Sequence, residues 1–153
     1  MIVVTVAGYQ DSGKTTLVER LVPALSSRGS VATVKSIHHD VEFDTPGKDT
    51  YRHRTAGADA VVGLTPSQTF SIAVDGTDED RDPDASLERG LAHLGPKSYD
   101  YVVGEGFKRA TVPTILVGDI DDEAVEGAVL ERVRDAESVP VDRLADAIDG
   151  LPE

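Results

Sequence analysis

The sequence contains no cysteine and no tryptophan, one methionine, and only 5% aromatic residues. Without cysteine there is no disulfide framework, no thiolate metal site and no cysteine nucleophile. No apolar run approaches the ~20 residues needed to cross a bilayer. The first residues lack the basic region and cleavage site of a secretory leader, so the expected location is the cytoplasm. Positive charge is scarce too: 15 Lys and Arg stand against 28 Asp and Glu, a formal net charge of −13. A surface this negative repels nucleic acid and anionic membranes, and neither is expected as a partner. Aspartate supplies 18 of the 28 acids and arginine 10 of the 15 bases, a balance that reads as adaptation to high salt.

What is present fits a single domain. At 153 residues, about 68–70% of the unfolded surface can be buried, enough for a core without staples. Ile2–Ala7 is a β-branched apolar run entering a turn at Gly8, as a buried strand does. Leu17, Leu21 and Leu25 give one apolar face to a helix over 15–28, with Pro23 inside it and Gly29 placed to end it. Strands are predicted at 31–35, 60–64, 69–74, 99–103 and 113–117, the second and third as a hairpin around Pro66-Ser67. Helices are predicted at 49–56, 85–94 and 122–134, with an amphipathic tail at 141–148. Residues 36–50 read as a loop and 75–84 as an acidic linker. Strands alternating with helices imply an α/β fold with a mostly parallel central sheet.

The most specific signal is Gly8-Tyr9-Gln10-Asp11-Ser12-Gly13-Lys14-Thr15, which matches G-x-x-x-x-G-K-[ST] at every fixed position. Each residue type has a mechanical reason. The glycines allow a tight turn whose N–H groups converge on phosphate oxygens. Lys14 brings a point charge to the β- and γ-phosphates, and Thr15 offers a hydroxyl to Mg²⁺ at the start of a helix. A chain of this composition would show the pattern by chance roughly 0.006 times. Such a loop also needs a carboxylate at the end of a neighbouring strand. Glu105, just past the predicted strand at 99–103 and followed by Lys108 and Arg109, supplies it; Asp119 is a weaker candidate. No Asn-Lys-x-Asp occurs, so the guanine-reading device of small GTPases is missing and base identity does not follow from motif.

A second constellation lies at 36–58. Three of the four histidines, His38, His39 and His53, fall within sixteen residues. Adjacent His38 and His39 cannot face one point on a regular element, which argues against a two-histidine metal site. Lys48, Arg52 and Arg54 make the segment locally positive in a negative chain, as an anion site would be.

The phosphate loop at residue 8, the HHD…D-x-P-G-K-D-[ST] run at 38–50, R-x-A-G-A at 54–58 and V-x-E-G-F-K at 103–108 occur in this order. In this the sequence resembles the MobB family of molybdopterin-guanine dinucleotide biosynthesis adaptor proteins, over about residues 1–118. The resemblance implies a P-loop NTPase fold that binds GTP with Mg²⁺, hydrolyses it slowly and forms homodimers. It also implies a partner, a MobA-type guanylyltransferase that joins GMP to molybdopterin, with molybdopterin as a candidate ligand. Carried over residue by residue, Asp11, Ser12, Gly13, Lys14, Thr15 and Thr16 would hold the phosphates. Thr15 and Glu105 would lie on the Mg²⁺ side, Lys14 and Glu105 would carry catalysis, and Gly47-Lys48-Asp49-Thr50 would approach the nucleotide as a switch-like loop. After Asp119 the chain is short and acidic, without the longer strand-and-loop region expected of the family.

Two further readings use the same motifs. One is a P-loop small-molecule kinase, which would need an Arg-rich closing segment. Residues 75–84 are instead Asp-rich with one arginine, Arg81, and carboxylates repel a transferring phosphoryl group. The other is an adaptor in which nucleotide acts only as a switch.

Overall fold

The computed structural model describes residues 1–74, 87–95 and 97–153. The predicted acidic linker at 75–84 and the start of the helix predicted at 85–94 fall outside them. The chain divides into two compact units, Met1–Ile37 with Asp82–Glu153, and His38–Arg81.

In the first unit five strands form one parallel sheet: β1 (Ile2–Gly8), β2 (Val31–Lys35), β5 (Tyr101–Glu105), β6 (Thr114–Val117) and β7 (Val129–Val133), in the order β2-β5-β1-β6-β7. Parallel strands need crossovers on the faces, which explains why β1, β5 and β6 are apolar almost throughout and fully buried at their centres. Helix α1 (Lys14–Ser26) buries Leu17, Leu21 and Leu25 against one sheet face, together with helix α4 (Val141–Asp149) through Leu144, Ala145 and Ile148. Ile2, Val4, Val6, Tyr101, Val103, Ile115 and Val117 meet them from the sheet. On the other face Thr5 and Thr114 share a buried hydroxyl–hydroxyl bond of 2.8 Å, and Ala7, Leu116 and Ile120 form a smaller cluster. Helix α3 (Leu87–His93) packs over β2, with Gly90 against Val34. Pro23 lies inside α1, where it removes one amide donor from the helix ladder.

Two predicted elements need correction. The strand predicted at 99–103 runs instead from 101 to 105, because Gly104 and Glu105 continue in register with Thr5 and Val6 on one side and with Val34 and Lys35 on the other. Glu105 is thus the last strand residue, not the first beyond it. The helix predicted at 122–134 is a single 3₁₀ turn at Asp122–Ala124 followed by strand β7. Val125, Val129 and Val133 are spaced like a helix face, but Gly127 passes so close to the Val112 carbonyl that a Cβ there would overlap it. Thr114 N then bonds Ala128 O at 2.8 Å and draws the chain into the sheet.

The second unit holds helix α2 (Asp49–Thr55) and an antiparallel hairpin of β3 (Ala60–Leu64) and β4 (Thr69–Ala73), turning at Pro66-Ser67 as predicted. Among the described residues, no helix is long and apolar enough to cross a membrane.

Candidate functional site

The phosphate-loop sequence leaves the C-terminal end of central strand β1 and enters α1 at Lys14. Two close approaches shape it. A Cβ on Gly8 would lie 2.6 Å from Val117 O and 2.4 Å from Ser12 Oγ, so only glycine lets β1 turn back beside β6. Gly13 has φ +96° and sits 3.1 Å, measured from an added Cβ, from the Ala136 methyl group. Asp11 also adopts a left-handed conformation, φ 59°, which Asp tolerates better than most residues. The loop therefore curls tightly, with Ser12 N bonding Tyr9 O at 3.3 Å, the compact form that a phosphate-binding loop takes.

The side chains fit the same ligand class. Ser12 Oγ is buried with no hydrogen-bond partner, an unfilled polar position inside the curl. Lys14 Nζ donates to the Tyr9 carbonyl at 2.5 Å, back across the loop it belongs to. Burial holds the Lys14 ammonium below the ordinary lysine range; nearby Glu105 opposes this, while Lys108 and Lys35 add to it. An ammonium partly stripped of water and crowded by other cations is poised to gain from a phosphate. Lys108 Nζ lies over the Tyr9 ring at 5.0 Å, a second cation beside the loop.

Thr15 and Glu105, ninety residues apart, meet: Thr15 Oγ1 donates to Glu105 Oε1 at 2.8 Å. Glu105 is 9% exposed, and Ser36 N bonds its carbonyl at 3.0 Å. Mg²⁺ at such loops keeps several waters and takes one or two protein ligands beside the phosphates, so a hydroxyl paired with a single carboxylate suits it. Thr16 follows in the first turn of α1. Sequence reasoning missed Lys35, whose Nζ stands 3.1 Å from Glu105 Oε1 and 3.5 Å from Thr15 Oγ1. Only the pairing of β2 with β5 brings Lys35 level with Glu105.

The remaining sequence candidates belong to other segments of the chain. Asp119 is exposed just beyond β6. Gly47 (φ +83°), Lys48, Asp49 and Thr50 belong to the second unit, where they turn the chain into α2. The expected anion patch of Lys48, Arg52 and Arg54 is altered: Arg54 is engaged by Glu42 at 2.5 and 2.6 Å and stacks on Tyr51, so its charge is already balanced. Among the described residues no three His, Asp or Glu side chains gather as metal ligands, His38 and His39 included.

A parallel sheet with a glycine-flanked, lysine-bearing loop between its central strand and the following helix, and a Thr–Glu pair beside it, defines a P-loop α/β protein. Comparison with known proteins narrows this. Residues 3–130 match the family described as MobB, molybdopterin guanine dinucleotide synthesis protein B, and the chain belongs to the MobB family. It is 32% identical over 112 residues to the molybdopterin-guanine dinucleotide biosynthesis adapter protein of Escherichia coli, covering 72% of this chain and 62% of that one. It is 42% identical over 121 residues to a putative adapter protein of the same name from Methanocaldococcus jannaschii, covering 76% and 47%. The chain thus spans about half to three-fifths of the length of these relatives. A crystal structure of a molybdopterin-guanine biosynthesis protein B superposes with a TM-score of 0.65 at 29% identity, over 96% of both chains. That match reaches past Asp119, into the stretch that contains β7.

Proposed function

We propose that this protein is a GTP-binding accessory protein with weak Mg²⁺-dependent GTPase activity, acting as an adapter in molybdopterin-guanine dinucleotide biosynthesis. Its partner would be a MobA-type guanylyltransferase that attaches GMP to molybdopterin, with molybdopterin itself as a further ligand. The observation that carries the reading is the Thr15–Glu105 pair at 2.8 Å beside the curled Gly8–Thr15 loop, in a chain of the MobB family.

On this reading the chain works as a single P-loop domain. Asp11 to Thr16 hold the triphosphate, Lys14 neutralises charge on it, and Thr15 and Glu105 hold the metal. Mg²⁺, when bound, would neutralise developing phosphate charge. Glu105 and Lys14 then carry the slow hydrolysis, while Gly47–Thr50 act as the switch-like segment. Homodimer formation, residence in the cytoplasm and adaptation to high salt belong to the same reading; the last draws on the aspartate-rich net charge of −13.

The test is equilibrium binding of GTP and ATP, with Mg²⁺ and in high salt, followed by a reconstituted assay with the guanylyltransferase. GTP should bind more tightly than ATP and the chain should stimulate dinucleotide formation. Absence of triphosphate binding overturns the nucleotide assignment; binding without stimulation overturns the adapter role.

A further inference from the structure

Lys35 has no place in the phosphate-loop motif, yet it converges on that motif's metal side. Val31, Thr33 and Lys35 share one face of β2, and Val31 packs into the core beneath α1. The same two-residue period carries Glu105 to that face of β5, directly opposite Lys35 in the parallel register. Lys35 Nζ, Thr15 Oγ1 and Glu105 Oε1 close a triangle with sides of 3.1, 3.5 and 2.8 Å. The Glu105 side chain is 11% exposed and that of Lys35 52% exposed. A nearly buried carboxylate needs a cation beside it, and this one has a mobile stem reaching in from solvent.

We infer that Lys35 is a built-in cation that holds the metal's place and competes with it, drawing on the same two oxygens, Thr15 Oγ1 and Glu105 Oε1, that Mg²⁺ would use. This rests on the nucleotide reading above and goes beyond it. Two positive charges cannot share one carboxylate oxygen at contact distance without strong repulsion. Mg²⁺ must therefore displace the ammonium, and a half-exposed lysine can swing away at little cost. Before the metal arrives, Lys35 cancels the charge of Glu105, which would otherwise face the incoming triphosphate. Lys35 thus eases metal-free nucleotide binding and raises the Mg²⁺ concentration at which the site fills.

These two effects have opposite signs, which separates the role from a structural one. The experiment titrates a fluorescent GTP analogue into wild type, Lys35→Met and Lys35→Arg, first in EDTA and then with increasing Mg²⁺. In EDTA, Lys35→Met should bind about threefold to tenfold more weakly. Its Mg²⁺ midpoint should fall by a similar factor, and the variants should converge at saturating metal. Lys35→Arg should restore wild-type behaviour in both. A loss of affinity in Lys35→Met that persists at saturating Mg²⁺, or an unshifted midpoint, overturns the role of Lys35 while leaving the nucleotide site intact. A wild-type chain that binds no analogue in either condition overturns the nucleotide reading and this inference with it. Thermal midpoints of the three proteins establish that each is folded.

Discussion

The two compact units hold their side chains by different means. In the first, Lys14 and Thr15 open α1, Lys35 and Glu105 end strands paired in register, and Thr15 bonds across to Glu105. In the second, α2 and β4 bury no residue, and Phe43 and Leu64 are 69% and 79% exposed. A two-stranded hairpin with so little core is marginal by itself. Its side chains are held by local bonds, such as Arg54 to Glu42 and Gln68 N to Thr65 Oγ1 at 2.9 Å. Substitutions in the first unit should therefore change chemistry or global stability, and those in the second should act locally.

The largest expected effect is on nucleotide affinity. Lys14→Ala removes a charge-assisted contact worth about 1.5–3 kcal/mol, a loss of roughly tenfold to a hundredfold in GTP binding. The fold should survive, because Lys14 makes its hydrogen bond to a loop carbonyl and not to the core. Unchanged GTP affinity by calorimetry would remove the phosphate loop from the site.

Next comes a matched pair of glycine substitutions, one in each unit. Gly8→Ala drives a methyl group into the Val117 carbonyl, backbone that cannot yield, and should cost about 1–3 kcal/mol of unfolding free energy. Gly63→Ala meets first the Phe70 ring, a side chain that is 40% exposed and can turn aside. Its change should stay within about 1 kcal/mol, since alanine also restricts the unfolded chain. Urea titration of both variants measures the contrast; equal destabilisation would mean that the second unit is as tightly built as the first.

Glu105→Gln tests the chemistry beside that scaffold. The amide keeps the shape and can still accept from Thr15, but it carries no charge for a metal or a water. Mg²⁺-dependent GTP hydrolysis should fall roughly tenfold or more while nucleotide remains bound. Undiminished turnover would make Glu105 a strand-end residue with a structural part only.

These contrasts also explain how much could be read in advance. The phosphate loop was legible because its constraints are local: a close approach at Gly8, a positive φ at Gly13, and a lysine and a hydroxyl at fixed offsets. Glu105 was legible because an acid ending an apolar strand is conspicuous. Lys35 was not, since its partner lies seventy residues away and only the β2–β5 register joins them. Strand β7 was missed for a related reason. Valines at 125, 129 and 133 fit a helix period locally, and only the neighbouring β6 makes extended pairing the better solution. In the second unit the pattern gave the elements correctly, yet the pairing of Arg54 with Glu42 crosses a loop without periodicity.

That pairing supplies the smallest effect. Glu42 accepts both bonds from Arg54 and one from Asp44 N at 2.9 Å. The Arg54 bond first, and the Asp44 amide second, hold the Glu42 carboxyl below the ordinary glutamate range, and Arg54 is raised in return. Because the folded value lies below the unfolded one, the contribution is complete above the usual value of 4.5 and is lost as pH falls through the lowered one. The groups are accessible to solvent, so molar salt should weaken the pair as well. Hydrogen exchange across residues 42–54, corrected for intrinsic rates, should therefore show protection declining below about pH 4.5. Glu42→Gln should start lower and lose less over that range, while the amides of α1 should respond alike in both proteins. An identical pH profile in variant and wild type would show that the segment is held by something other than this ion pair.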